Sequence, residues 1–112
     1  MQDLKTQTLV FDDPKARALD AATLTEALSA LPGWQVRVVE GISRIEKDYA
    51  FENFLDAMAF SNRVAALAES VGHHPALLTE WGKVKVSWWS HSLRGVHHND
   101  LIMAARTEPL AV

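Results

Sequence analysis

Apolar residues recur along much of the chain with the period of either a helix or a strand. The longest helical pattern runs from Phe51 to about Val71, where apolar positions are three or four residues apart, as on the buried face of an amphipathic helix. The predicted core-facing positions are Phe51, Phe54, Leu55, Met58, Val64, Ala65, Ala68 and Val71. Gly72 comes next and is typical of a helix end, so we predict that the helix stops there.

Two segments that flank this helix alternate with the period of a strand. Residues 34–39 place Trp34, Val36 and Val38 on one face, as in a half-buried strand. Glu40 and Gly41 suit a tight turn, after which residues 42–51 would return as the second strand of a hairpin.

A second hairpin is predicted around residues 77–91. Its last strand places Val84, Val86 and Trp88 on one face. His91 falls on the opposite face, which it shares with Lys83, Lys85, Ser87 and Trp89.

Two shorter helices complete the pattern. Residues 23–31 carry leucines on one face, and Thr23 and Glu26 have the spacing of a capping box. Residues 99–108 suit a last helix, with Asp100 in its first turn near the positive end of the helix dipole. Residues 1–20 are treated as an N-terminal extension, in which residues 8–14 fit a short edge strand that Pro14 would end.

The predicted order is therefore α-β-β-α-β-β-α. Short, hairpin-like connections favour an α+β fold, with a four-stranded antiparallel sheet covered on one face by helices. The 112 residues predict one domain, 1–112.

Composition excludes several classes of function. A hydrophobic content of 48% argues against disorder, and no apolar run approaches the length of a membrane span. The N-terminus lacks a basic stretch followed by an apolar core, so no secretory signal is expected. The net charge of −3, with both signs mixed, disfavours nucleic acid and anionic lipid as partners. The absence of cysteine excludes disulfides and a cysteine nucleophile, and a cytoplasmic location fits.

Three of the five histidines lie where predicted elements end. His73 and His74 follow the long helix, and His91 ends a strand. Three imidazoles suffice for a catalytic zinc, but adjacent histidines diverge and no H-E-x-x-H pattern is present, so no metal is expected. Ser90 and His91 would point to opposite faces of a strand, which argues against a nucleophilic serine. General acid–base chemistry near neutral pH is allowed but not required by these residues.

The spacing of these histidines resembles a family signature. The signature is E-x-x-x-H-H-P-x-x-x-x-x-W, followed by a later histidine and aspartate, and it resembles that of the pterin-4a-carbinolamine dehydratases. In this chain it falls on Glu69, His73, His74, Pro75, Trp81, His91 and Asp100. Blocks at residues 31–34, 51–60, 63–69 and 83–86 resemble that family in the same order, and the resemblance covers about residues 22–107.

The resemblance implies a site and a reaction. The enzyme would remove water from a 4a-hydroxytetrahydropterin to give the quinonoid dihydropterin, without a cofactor. His73 is expected to be the general acid, and His74 and His91 are expected to bind the pterin and to supply the base. Substrate-binding roles are expected for Glu69 and Trp81. Trp34 is a further candidate, although core packing is more strongly expected for it.

The resemblance also implies partners and an alternative. Family members are commonly homodimers or homotetramers and serve tetrahydropterin recycling after aromatic amino acid hydroxylation. Others act as binding or assembly partners of another protein, and one fold can support both roles. A pterin-related step in molybdenum-cofactor metabolism is a weaker third possibility.

The sequence departs from the family in the loop before the last helix. His97 stands where the family usually has a hydroxyl that caps the helix, so a poorer cap is expected, at a cost of about 1 kcal/mol. His97 and His98 are predicted to be surface residues outside the site.

Overall fold

The predicted fold class and element order are confirmed. The computed structural model describes residues 3–112. Its three helices and four strands are α1 (Ala21–Ala27), β1 (Gln35–Val39), β2 (Ile42–Ala50), α2 (Phe54–Val71), β3 (Ala76–Glu80), β4 (Lys83–Trp88) and α3 (His98–Thr107). Short 3₁₀ turns lie at Leu4–Thr6, Leu28–Ala30 and Glu108–Leu110. Among residues 3–112, no helix has the length and apolar character that a membrane span requires.

The four strands form one antiparallel sheet in the order β1-β2-β4-β3. Glu40 and Gly41 both have positive φ, 53° and 78°, and close the two-residue turn between β1 and β2. Positive φ at both turn positions matches the twist of the flanking strands. The second hairpin, β3–β4, turns at Trp81 and Gly82.

The helices cover the sheet face that carries the apolar residues of β2 and β4. Ile45, Val84, Val86 and Trp88 are all completely buried there. Phe60 of α2 packs on Tyr49 with ring centroids 4.8 Å apart. Trp88 donates its indole N–H to the Thr107 hydroxyl of α3, at 3.2 Å, so the core links the sheet to both longer helices.

Two local predictions are wrong. Asp20, not Thr23, caps α1, because its carboxylate accepts the Thr23 N–H at 2.8 Å. Val36 and Val38 are exposed, because they lie on the outermost strand beyond the cover of the helices. The periodicity of a strand reports which residues share a face, not how far the neighbouring layer extends.

The buried face of α2 also differs from the prediction. Its buried residues are Ala57, Phe60, Ser61, Val64 and Ala68. Phe54, Leu55 and Met58 are exposed instead. The helix therefore presents a second apolar surface at its N-terminal end, where the prediction had placed core residues.

Candidate active site

Two histidines follow directly from the way α2 ends. Gly72 adopts the left-handed conformation, with φ of 67°, and its N–H donates to the carbonyl groups of Ala68 and Glu69. The His73 N–H also donates to the Ala68 carbonyl, at 3.3 Å. This C-cap turns the chain sharply. His73 and His74 consequently lie between the helix end and the first residues of β3.

His73 is held by a buried carboxylate. Its Nε2 lies 2.6 Å from Oδ1 of Asp100, whose side chain is completely buried. Oδ2 of Asp100 accepts the Ser90 hydroxyl at 2.8 Å and the His97 N–H at 2.9 Å. Both carboxylate oxygens are thus satisfied, and a buried, fully hydrogen-bonded carboxylate is a rigid support for the ring it contacts.

Aromatic contacts fix the plane of the His73 ring. It stacks on Trp88 with centroids 5.7 Å apart and planes 17° apart. Phe11 approaches the His73 ring at 6.1 Å with a tilt of 54°. Within residues 3–112 no hydrogen bond engages Nδ1, so this ring nitrogen is available to a ligand.

His74 and Glu69 form a more exposed pair. The His74 Nε2 lies 2.6 Å from Oε1 of Glu69, one turn back in α2. Their side chains are 57% and 77% exposed. An exposed pair of this kind contributes little to stability, so its main effect is to restrict the orientation of the His74 ring.

His91 is positioned by stacking. It lies in the loop after β4, and its ring stacks on Trp89 at 4.6 Å with planes 12° apart. The guanidinium of Arg44 lies 3.9 Å from the Trp89 ring centroid. In the part of the chain that the structure describes, no hydrogen bond engages either ring nitrogen of His91. Both nitrogens are therefore available to a ligand.

All three histidines line one cavity of about 500 Å³. That volume is within the range of small-molecule sites. The other lining residues come from the N-terminal segment, the C-cap of α2, the loop between β4 and α3, and the first turn of α3: Val10, Phe11, Asp13, Ala16, Gly72, Ser90, Ser92, Leu93, His97 and Asn99. An imidazole cluster beside hydroxyl groups and apolar side chains can bind a polar heterocycle and transfer its protons.

Within residues 3–112, no three side chains of the metal-binding types are grouped as a metal site requires.

The prediction for His97 is wrong on two points. Its Nδ1 accepts the Asn99 N–H at 3.0 Å, and the Asp100 carboxylate accepts the His97 N–H, so His97 and Asp100 form a capping box at the start of α3. His97 is half-buried and lines the cavity. His98 is exposed, as predicted, and contacts Gln7 on the outside of the helix.

The N-terminal segment is a part of the site that the sequence did not reveal. Residues 8–14 form no strand, contrary to the prediction. The Val10 N–H donates to Oδ1 of Asn99 at 2.9 Å, and the Asn99 amide donates back to the Val10 carbonyl at 2.8 Å. The side-chain amide of Asn99 thus makes the two hydrogen bonds that a neighbouring strand would otherwise make with Val10. We refer to residues 5–16 as the strap.

None of the three predicted substrate-binding residues lines this cavity, and Glu69 is linked to it only through its contact with His74. Trp34 is buried in the core and Trp81 is exposed at the β3–β4 turn. Their roles in binding stay predictions, which the position of neither residue supports. The Trp34 indole N–H instead donates to Glu108, at 3.1 Å.

Glu108 accepts hydrogen bonds from two parts of the fold, β2 and the residue that precedes β1. The donors are Trp34, Lys47 and Tyr49. Burial alone would raise the pKa of the Glu108 carboxyl, but these hydrogen bonds and the charge of Lys47 outweigh it and hold the pKa below its ordinary value. Burial, followed by the contact with Glu108, raises the pKa of the Tyr49 hydroxyl far above its ordinary value.

Comparison with known proteins points to one family. The family model described as "Pterin 4 alpha carbinolamine dehydratase" matches residues 17–110. A protein of Syntrophotalea carbinolica, named "Putative pterin-4-alpha-carbinolamine dehydratase", is 44% identical over 110 residues, which cover 98% of each chain.

Solved structures agree in fold. The crystal structure of a "transcriptional coactivator/pterin dehydratase" from Brucella melitensis is 33% identical, with a TM-score of 0.76 over 86% of this chain and 100% of that one. A pterin dehydratase-like protein, described as a RuBisCO assembly factor in the alpha-carboxysome, is 24% identical, with a TM-score of 0.60 over 72% of this chain and 92% of that one. The latter likeness shows the fold alone.

Proposed function

Because the chain belongs to the pterin 4 alpha carbinolamine dehydratase family, we propose that it removes water from a 4a-hydroxytetrahydropterin to give the quinonoid dihydropterin. The observation that carries this proposal is the grouping of His73, His74 and His91 on one cavity of about 500 Å³. We expect the reaction to take place in the cytoplasm, as a step of tetrahydropterin recycling.

The dehydration requires two proton transfers. The bond between C4a and the hydroxyl breaks as an acid protonates the leaving oxygen, which departs as water. A base removes the proton from the neighbouring N5, and the electron pair of that N–H bond forms the C4a=N5 double bond. Imidazoles suit both transfers because their ordinary pKa lies near neutral pH.

His73 is the proposed general acid. Its Nε2 is engaged by the buried carboxylate of Asp100, at 2.6 Å, so the ring is oriented and Nδ1 is directed to other partners. A fixed ring keeps the proton donor in one place relative to the leaving hydroxyl, which is what efficient proton transfer requires.

His91 is the proposed base, and His74 is proposed to bind the pterin. His91 makes no hydrogen bond to other described residues through its ring nitrogens, so a nitrogen is free to accept the N5 proton. His74 is restrained by Glu69 at 2.6 Å, which suits a group that holds the substrate in place.

The test is the rate of dehydration of freshly generated 4a-hydroxytetrahydropterin, followed by absorbance at neutral pH. We expect the wild type to exceed the uncatalysed rate and His73→Ala to lose about 10²-fold or more, as expected for loss of a general acid. His98→Gln is the control, because this histidine is exposed outside the cavity and a glutamine can keep the hydrogen bond to Gln7. A wild-type rate equal to that of buffer would overturn the proposal.

Self-association is a second property that the surface supports. Phe54, Leu55 and Met58 of α2 are 46%, 79% and 36% exposed. The outer strands β1 and β3 also have unpaired edges in the single chain. We propose a homodimer or homotetramer that covers these surfaces. Light scattering coupled to gel filtration measures the mass, and Leu55→Glu should lower it if the α2 surface is the contact.

A binding or assembly role is the alternative function. The same exposed α2 surface would suit another protein as well as a second copy. Capture of one stoichiometric partner by wild type and equally by His73→Ala, together with an absence of dehydration, would favour this alternative.

A further inference from the structure

The strap contributes a wall to the cavity although it precedes the part of the chain that the family model matches, residues 17–110. Val10, Phe11, Asp13 and Ala16 all line the cavity with the three histidines. The strap is therefore in position to contact any ligand that the histidines contact.

The strap is attached firmly enough to serve as a wall. Asn99, which is 5% exposed, pairs with both polar backbone groups of Val10. Arg106 donates to the Lys5 carbonyl at 3.0 Å and to the Gln7 carbonyl at 2.6 Å. These bonds join the strap to α3, the helix that also supplies Asp100.

Two strap residues have the chemistry to recognise a pterin. Phe11 lies on the cavity beside His73 and is 54% exposed, so its ring offers apolar area to a flat heterocycle. Among the described residues that line the cavity, Asp13 is the one with a carboxylate. One of its oxygens accepts the Lys15 N–H at 2.9 Å, which fixes the side chain.

The 2-amino-4-oxopyrimidine edge of a pterin carries adjacent N–H donors at N3 and at the 2-amino group. A carboxylate can accept both at once, and such charge-assisted pairs are stronger than neutral hydrogen bonds. We propose that the strap is a recognition wall of the site, where Asp13 accepts the N–H groups of the pyrimidine edge and Phe11 packs against the ring. This inference rests on the proposed pterin substrate.

The experiment measures binding separately from catalysis. Isothermal titration with 7,8-dihydropterin, which has no 4a-hydroxyl to lose, gives Kd for each variant. Asp13→Asn should weaken binding about tenfold or more, as expected for loss of a charged hydrogen-bond acceptor. Phe11→Ala should weaken it several-fold through lost ring contact.

A ligand change isolates the proposed contact. The analogue of 7,8-dihydropterin without the 2-amino group should bind wild type more weakly and should lose much less on Asp13→Asn. Asp12→Asn is the matched control, because Asp12 is an adjacent carboxylate that does not line the cavity. An equal loss for both ligands, or no loss for either, would overturn the proposal.

Arg106→Met tests the strap without changing the cavity lining. It removes both hydrogen bonds from Arg106 to the strap, so we expect KM to rise several-fold while kcat changes little. An unchanged KM would show that substrate binding does not depend on the attachment of the strap by Arg106, and it would count against the proposal.

Failure of this inference differs from failure of the proposed function. A wild type that binds dihydropterin through Asp13 but does not dehydrate the hydroxylated substrate would remove the catalytic proposal alone. A wild type that catalyses dehydration, with an Asp13→Asn variant of unchanged Kd and KM, would remove the strap proposal alone. A wild type that binds no pterin would overturn both.

Discussion

The imidazole of His73 lies 2.6 Å from the carboxylate of Asp100, 27 residues further along the chain and completely buried. This contact joins the end of α2 to the first turn of α3. His73 is therefore held by a carboxylate that is hydrogen-bonded on both oxygens.

Asp100→Asn should reduce both activity and stability. An amide has an acceptor on one side only. Either a buried donor therefore loses its partner, or Nε2 of His73 becomes the acceptor and the tautomer of that ring changes. We expect the free energy of unfolding to fall by about 1–3 kcal/mol. We expect kcat to fall more than dihydropterin binding, because His73 loses its orientation but the cavity walls remain. Urea denaturation and steady-state kinetics measure the two effects.

Ser90→Ala is the control for this variant. It removes the Ser90 hydrogen bond to Oδ2 of Asp100 but leaves the contact between His73 and Oδ1. Stability should fall by about 1 kcal/mol. Because Ser90 also lines the cavity, we expect substrate binding to weaken, while kcat stays close to the wild-type value. An equal loss of kcat in both variants would argue that Asp100 acts only through stability.

Gly95→Ala should destabilise the loop between β4 and α3. A Cβ at Gly95 would lie 2.8 Å from the Cβ of Ala18, closer than real Cβ atoms approach. The adjacent Leu19 N–H donates to the Val96 carbonyl at 2.7 Å, so the two segments cannot separate without losing that bond. We expect a loss of about 1–3 kcal/mol in thermal or chemical unfolding.

A second substitution, Ala18→Gly, tests whether the clash with Ala18 causes the loss of stability. The double variant Gly95→Ala with Ala18→Gly removes the clash, so it should recover most of the stability that Gly95→Ala loses. Losses that simply add in the double variant would show that steric contact with Ala18 is not the cause.

Glu108 should stabilise the fold in a defined range of pH. Its pKa is lower in the fold than the ordinary value near 4.5, so its contribution is present above that pH and is lost as the pH falls through the folded pKa. Glu108→Gln should therefore show a weaker loss of stability between neutral pH and pH 3 than wild type. Denaturation midpoints across this range test it; parallel curves for the two proteins would contradict it.

Tyr49 should act at the opposite end of the scale. Its pKa is raised above the ordinary value of 10.0, so its contribution is present below pH 10 and is lost as the pH rises above that value. Tyr49→Phe should lose less stability than wild type between pH 9 and 11. The absorbance of tyrosinate gives a second measurement, because Tyr49 is the single tyrosine in the sequence and should resist ionisation until the protein unfolds.

The helices and strands could be predicted because apolar residues recur in each with the residue period of that element. Gly72 ends α2 where expected, and Glu40 and Gly41 form the turn of the first hairpin. Burial was harder to predict. Leu55 follows the helical period but is 79% exposed, because periodicity does not tell which of two apolar faces meets the sheet.

The three histidines that the family likeness singled out lie on one cavity, but other residues that line it were not predicted. His97 was predicted to be a poor N-cap and a surface residue, but its side chain caps α3 because the Asn99 N–H points at Nδ1. The strap has neither strand pairing nor helical period. Its position depends on the side chains of Asn99 and Arg106, which lie in a helix far away in sequence.

The attachment of the strap to α3 has a consequence for the order of folding. The residues that it joins are separated by 89 positions at Asn99 and 101 at Arg106, so this contact closes one of the longest loops of the chain. Closing such a loop costs more chain entropy than forming a hairpin, and it becomes favourable only after nearer contacts exist. On the ribosome the strap emerges long before α3. A newly made chain can therefore hold its sheet before the cavity is complete, and we expect the docking of the strap to be among the last events of folding.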